Sequence, residues 1–277
     1  MNNKENEIKE MVKQKYTEIA LKGEENNSSC CCSRNPTEVY NIMNEDYTKE
    51  EGYNADADLG LGCGLPTQFA GIKKGATVLD LGSGAGNDCF VARAEVGETG
   101  KVIGIDFSEA MLEKARKNAE KMGYNNVSFR QGDIEDMPIG GNSIDVVISN
   151  CVLNLLPNKD KIFHEIFRVI KPGGHFCISD IVLMGQLPDS LKEVAEFYAG
   201  CVSGAIQKSD YLGEIANAGF EKIEIRKEKT ILIPDEILEK HLDEKAINEF
   251  KTNQAGIFSI TVTGVKPKKV CDCGGCC

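Results

Sequence analysis

The chain has 277 residues, enough for one large core or a smaller core with appendages. Its 32 Lys and Arg against 43 Asp and Glu leave a formal charge of -11, which opposes the counterion release that drives nucleic-acid binding. There is no apolar run of ~18 residues and no signal-peptide core near the start, so the expectation is a soluble, cytoplasmic protein with no nucleic-acid and no membrane partner. Twelve cysteines are the anomaly, because a reducing compartment does not sustain a disulfide framework and a chain of this size does not need one. Ligands, nucleophiles or core filler are the remaining uses for these thiols.

In chain order, Ile8, Met11, Val12, Tyr16 and Ile19 recur at helical spacing and predict an amphipathic helix over 5–22. The polar stretch KGEENNSSCCCSRNP that follows reads as a loop. From Thr77 strands alternate with helices: TVLDL, a GSGAG turn, a helix to Val96, KVIGID, a helix over 109–122, VSFRQGD, IDVVIS, a helix over 159–170 and HFCISDIV. Such alternation predicts an α/β fold, a mostly parallel sheet with helices on both faces. Segments 188–206 and 209–218 read as helices, EKIEIRKEK and IFSITVTGVKP as closing strands, and IPDEILEKHLDEKAINEF between them as helical. The predicted organisation is an N-terminal helix and mobile cysteine-bearing segment (1–60), a core (61–185), a smaller α+β region over the substrate (186–266) and a flexible cysteine-rich tail (267–277).

Gly82, Gly84 and Gly86 lie between a strand and a helix, where glycine lets the backbone approach a ligand over a helix N-terminus. Alone, the run is equally a tight strand-to-helix turn. Asp106 ends the second strand, where a carboxylate can accept ribose hydroxyls. Asp133, Ile134 and Glu135 end the third. All of them fall at the carboxyl edge, where open α/β sheets bind ligands. Acidic strand ends suit a donor-rich, positively charged ligand, and GSGAGN does not complete the G-x-G-x-x-G form of a dinucleotide site.

VLDLGSGAG, GIDFSEAMLEKAR, GDIEDMP, DVVISN and RVIKPGG, in this order over residues 77–183, resemble the successive motifs of class I S-adenosylmethionine-dependent methyltransferases. The resemblance implies a Rossmann-like fold, S-adenosyl-L-methionine as cofactor, and Asp80 with the loop Gly82, Ser83, Gly84 and Gly86 against its methionine part. It also implies Asp106 on the ribose, Met111 beside the adenine, Ile134 and Glu135 at the adenine edge, and Asn150 near the methyl group. Met111 reads equally as helix core.

The acceptor has to be read from the thiols, since one fold hosts many chemistries. Cys151 directly follows the fourth strand, Cys201 lies in FYAGCVSGA after the fifth, and Cys63 sits between glycines before the core. Cys89 and Cys177 read as core, as free cysteine usually does. Soft thiolates select soft centres, and trivalent arsenic takes three sulfurs pyramidally. The phrases LGLGCGLP, SNCVLNL, YAGCVSGA and YTKEEGY resemble the arsenite methyltransferase family across roughly residues 40–265. That resemblance implies methylation of arsenite and methylarsenite bound by Cys63, Cys151 and Cys201, in arsenic detoxification. It further implies a redox partner for Cys63 among Cys30, Cys31 and Cys32, of which Cys32 is favoured, and reduction by thioredoxin or glutathione.

The tail thiols Cys271, Cys273, Cys276 and Cys277 have metal-tract spacing; they read as arsenic capture, adventitious zinc binding or an accessory. His164, His175 and His241 lack ligand spacing and read as structural. Two alternatives stand beside the arsenic reading. One is a methyltransferase of a small organic acceptor, such as a quinone precursor; the other is a non-enzymatic thiol buffer for arsenic or metals.

Overall fold

The computed structural model describes residues 3–25, 45–186, 202, 204–232, 238–239, 242–244, 247 and 256–268. Cys30, Cys31, Cys32, Cys201, His241 and the four tail cysteines lie outside them, as does nearly all of the helix expected over 188–206. Along the chain come α1 (Asn3–Glu25), α2 (Pro66–Ala70), β1 (Thr77–Leu81), α3 (Asn87–Val96), β2 (Lys101–Asp106), α4 (Glu109–Lys121) and β3 (Val127–Gln131). They are followed by β4 (Ile144–Asn150), a short 3-10 turn (Leu153–Leu155), α5 (Lys159–Val169), β5 (Ile170–Met184), α6 (Lys208–Asn217), β6 (Glu221–Ile231) and β7 (Gly256–Val265).

The strands form one seven-stranded sheet in the order β3-β2-β1-β4-β5-β7-β6. β1 to β5 are mutually parallel, and β7 inserts antiparallel between β5 and β6. This is the class I methyltransferase fold. The two strands from the C-terminal region thus extend the sheet of the core. Strand order reverses between β1 and β4, and at such a switch point the loops on either side diverge and leave a crevice at the carboxyl edge.

Both faces of the parallel strands are covered, as their near-continuous Val, Ile and Leu content requires. Leu79, Leu81, Ile103, Ile105 and Val147 pack with Phe163, Ile166, Phe176 and Tyr211 on one face. Val78, Val102, Val146 and Ile148 pack with Phe90, Leu112, Cys89 and Cys177 on the other. Cys89 and Cys177 therefore fill core, as the sequence predicts; burial pushes the Cys177 thiol up to about 12. Ser108 caps α4, its hydroxyl accepting from the Met111 N–H. Among the described residues no helix is long and apolar enough to cross a membrane.

Phe176 is fully buried, with its ring edge-on to Phe220 at 4.8 Å and tilted on Phe163 at 6.1 Å. Phe176→Ala should lower unfolding stability by about 3–5 kcal/mol, read as a lower urea midpoint with an unchanged m-value.

Candidate active site

The loop after β1 turns on three glycines with positive φ, Gly82 (67°), Gly84 (50°) and Gly86 (98°). The N–H groups of Gly82 and Ser83 donate to the Ile105 carbonyl at 2.8 and 2.9 Å. Asp106 then holds the loop from below: its carboxylate accepts from the Gly84 N–H at 2.9 Å and the Ser108 N–H at 2.9 Å. Burial raises the Asp106 pKa, against the N–H groups of Ser108, Gly84 and Phe107 that favour its anion. A side chain at Gly82 would run into Val152, with a Cβ only 2.5 Å from Cγ2.

A cleft opens over this loop, walled by Gly82, Ser83, Gly84, Asp106, Met111, Asn150 and Cys151 from the expected set. Met111 is both things its position allowed, 1% exposed in the core and in the cleft wall. Asp80 and Gly86 are not in that wall. Asp80 points under the sheet edge, where the Cys89 thiol donates to Oδ2 at 3.2 Å. Burial, then the nearby Asp88 and Asp106, holds the Asp80 carboxyl well above the carboxylate range.

Ile134 lines an adjoining cavity with Gly82, Asp106, Phe107, Asp133 and Leu155. Helix α1 crosses this region. Lys9 Nζ donates to Asp133 Oδ2 at 2.6 Å and Glu135 Oε2 at 2.8 Å, while Thr17 Oγ1 lies 3.2 Å from Ser108 Oγ. Burial alone would lower the Lys9 pKa, but bonding to the two carboxylates raises it. Glu135 Oε1 is buried with no hydrogen-bond partner among the described residues.

Cys63 and Cys151, 88 residues apart in the sequence, meet in one buried cluster with Ile181, Val202, Ile231 and Ile257. They are 1% and 2% exposed. Cys151 sits at φ 60°, a conformation costly for a side chain and typical of functional sites, of order 1–3 kcal/mol. Its N–H donates to the Ser179 carbonyl at 2.8 Å. Cys201 lies outside the described residues, but its neighbour Val202 is in the cluster. One side of Cys151 therefore faces the thiol cluster and another the cleft.

A family model described as a methyltransferase domain matches residues 72–219. An arsenite methyltransferase of Halobacterium salinarum is 41% identical over 264 residues, covering 87% of this chain and 65% of the relative. One from Aquipseudomonas alcaligenes is 38% identical, covering 65% of this chain and 54% of the relative. The chain thus spans about half to two thirds of the length of these curated relatives. The crystal structure of CrArsM, an arsenic(III) S-adenosylmethionine methyltransferase from Chlamydomonas reinhardtii, superposes with a TM-score of 0.62 at 34% identity, covering 75% of this chain and 68% of that one. The chain belongs to the arsenite methyltransferase family.

Several residues that shape the cleft carried no motif signal: Tyr16, Asp58 and Asp88 line it, as does Tyr47, which the sequence marked only as the start of YTKEEGY. Beneath the thiol cluster lies a buried polar group: Asp180 accepts from Asn154 Nδ2 at 2.9 Å, the Ile181 N–H at 2.9 Å and the Tyr211 hydroxyl at 3.2 Å. The Tyr211 pKa is pushed well up by burial, then by Asp180, and less by Cys63 and Cys151. A signal for Asp180 existed: an acidic residue inside the apolar run CISDIV has to find partners indoors.

Burial raises the Asp180 carboxyl from 3.8 to about 7, against Lys159, the Ile181 N–H and the Tyr211 hydroxyl. Between roughly pH 4 and 7 the folded chain therefore keeps a proton that the unfolded chain has lost, and this group makes stability fall as pH rises. Asp180→Asn should flatten that dependence, by up to about 1.4 kcal/mol per pH unit, in urea unfolding followed from pH 4 to 7.

Proposed function

We propose that this chain transfers methyl groups from S-adenosyl-L-methionine to trivalent arsenic held by Cys63, Cys151 and Cys201, taking arsenite and methylarsenite as substrates in arsenic detoxification. The observation that carries the reading is the meeting of Cys63 and Cys151 in one buried cluster while Cys151 also lines the cleft over the glycine loop. The residues of the cleft fit the cofactor: Asp58, Asp88 and Asp106 give it an acidic wall suited to a sulfonium and an ammonium group, and Met111 gives an apolar one. The Gly82–Gly84 loop would take the methionine part, Asp106 the ribose, Met111, Ile134 and Glu135 the adenine region, with Asn150 near the methyl group. When bound, this cofactor supplies an electrophilic methyl.

The chain's own task is then positioning and exclusion of water. Thiolates hold arsenic as a pyramid with its lone pair outward, so no general base is needed, unlike the case of an oxygen or nitrogen acceptor. The apolar side chains of Ile181, Val202, Ile231 and Ile257 keep the thiol centre dry, and orientation alone can supply much of the rate. As the carbon–arsenic bond forms and the carbon–sulfur bond breaks, arsenic passes formally from the trivalent to the pentavalent state. Two cysteine thiols return two electrons and become a disulfide, with Cys32 the favoured partner of Cys63. A thioredoxin- or glutathione-type thiol then reduces that disulfide by exchange.

Incubation of purified protein with arsenite, S-adenosylmethionine and a thiol reductant should yield methylated arsenicals by arsenic speciation. Cys151→Ser should cut the yield more than about a hundredfold, beyond the roughly 10–100-fold that loss of an outer partner costs a metal site. A folded, cofactor-binding wild type that yields no methylated arsenic would overturn the arsenic assignment and favour an organic acceptor.

A further inference from the structure

Cys63 belongs to no helix or strand, so something other than a backbone ladder must hold it against Cys151. Its peptide is gripped at several points. The Cys63 N–H donates to Asn150 Oδ1 at 3.0 Å, and Asn150 Nδ2 donates to the Gly64 carbonyl at 2.9 Å. One amide side chain thus holds both the Cys63 N–H and the Gly64 carbonyl, from the position just before Cys151. Ser259 Oγ donates to the Cys63 carbonyl at 2.6 Å from the opposite side.

The flanking glycines follow from this closeness. A Cβ on Gly62 would lie 2.6 Å from Asn150 Nδ2, and one on Gly64 would lie 2.5 Å from Ser179 Oγ. Both are far below any real contact, so GCG is the form in which this loop can sit on Asn150 and Ser179.

Asn150 is itself held. Its Nδ2 is 2.6 Å from the Tyr47 hydroxyl and 3.2 Å from Asp88 Oδ2. The Tyr47 hydroxyl donates to Asp88 Oδ1 at 2.8 Å and lies 3.1 Å from the Gly64 carbonyl. With its single proton on Asp88, the Tyr47 oxygen is an acceptor toward Asn150, which forces the amide to turn Nδ2 toward Tyr47 and Gly64 and Oδ1 toward Cys63. An amide flipped by 180° would turn Oδ1 onto the Gly64 carbonyl and Nδ2 onto the Cys63 N–H, so these backbone groups fix which way the amide faces, and the Tyr47–Asp88 pair anchors it there through the same Nδ2. Tyr47 is 3% exposed, and Asp88 stands in the first turn of α3, directly after the glycine loop.

We infer that Tyr47 and Asp88 are positioning residues, which anchor the Asn150 amide so that it clamps the Cys63–Gly64 segment and presents the Cys63 and Cys151 thiols together beside the cleft. The inference deepens the arsenic reading and rests on it for its chemical purpose. The clamp itself is a statement about Cys63 and can be measured without arsenic.

The test compares wild type, Tyr47→Phe and Asp88→Ala. In native protein with no cofactor, iodoacetamide labelling is followed peptide by peptide in the mass spectrometer. Labelling of a buried thiol reports how often its segment opens. Loss of the Tyr47 hydroxyl should raise the Cys63 rate about tenfold, equivalent to ~1.4 kcal/mol, and leave Cys89 and Cys177 within twofold. Affinity for phenylarsine oxide, a probe for paired thiols, should fall about tenfold, and kcat should fall with it. Asp88→Ala reads the same Cys63 labelling should Tyr47→Phe fail to fold.

An unchanged Cys63 rate in the folded variants overturns the clamp. A raised Cys63 rate in variants of a wild type that neither binds the arsenical probe nor methylates arsenite upholds the clamp and overturns the arsenic reading alone. An equal rise at Cys89 and Cys177 marks general loosening and likewise overturns the positioning role.

Discussion

Parallel pairing of β1 with both β2 and β4 is the constraint on which the site depends. Thr77–Leu81 runs in register with Lys101–Ile105 on one side, and Val78–Leu81 with Val146–Ser149 on the other. Because parallel strands all point the same way, their exits fall along one edge, and residues with no sequence proximity are delivered together. The glycine loop, Asp106 and the Asn150–Cys151 pair stand on three adjacent strand ends for that reason. The order reversal between β1 and β4 opens the cleft between them.

The second theme is the concentration of buried acids. Asp80, Asp88, Asp106 and Asp180 all have carboxyls raised by burial, Asp88 to about 6 and Asp180 to about 7. None of this serves stability, since a buried carboxyl that must ionise opposes folding. Their partners divide them into two groups. Asp106 and Asp88 face the cleft and bond to backbone N–H groups or to Tyr47 and Asn150, which suits an acidic wall for a cationic ligand. Asp80 and Asp180 face inward, toward the Cys89 thiol and the Asn154–Tyr211 pair. Perturbed carboxyls of this kind cluster where function requires them.

Helix α1 adds a layer that belongs to the cleft without belonging to the sheet. Its Lys9 bridges Asp133 and Glu135, its Thr17 meets Ser108 and its Tyr16 reaches the cleft wall. The strand-end acids that would attract a ligand thereby also attract the helix that covers them. The pair is half exposed at Asp133, where side-chain exposure is 42%, and so contributes less there than at Glu135, where it is 6%.

The sequence by itself determined the fold class and most elements. Apolar runs of strand length alternating with helical periodicity leave few arrangements other than a covered parallel sheet, and the observed helices and strands of the core lie within a few residues of those expected. It also determined the glycine turn and the acidic strand ends, because turn chemistry and strand termini are local. Burial of Cys89 and Cys177 was legible in the same way, from their place on a helix and within a strand. Tertiary structure alone decided that Asp80 turns under the sheet edge, that Met111 serves core and cleft at once, and that Tyr47 and Asp88 meet Asn150. The last of these joins segments 41 to 103 residues apart; no local pattern encodes it, because it arises only when strand register and loop length have fixed which side chains meet. The two glycines around Cys63 mark the boundary between the two kinds of information. They are plain in the sequence, but only the packed loop supplies their cause, the amide of Asn150 and the hydroxyl of Ser179 where a Cβ would have to be.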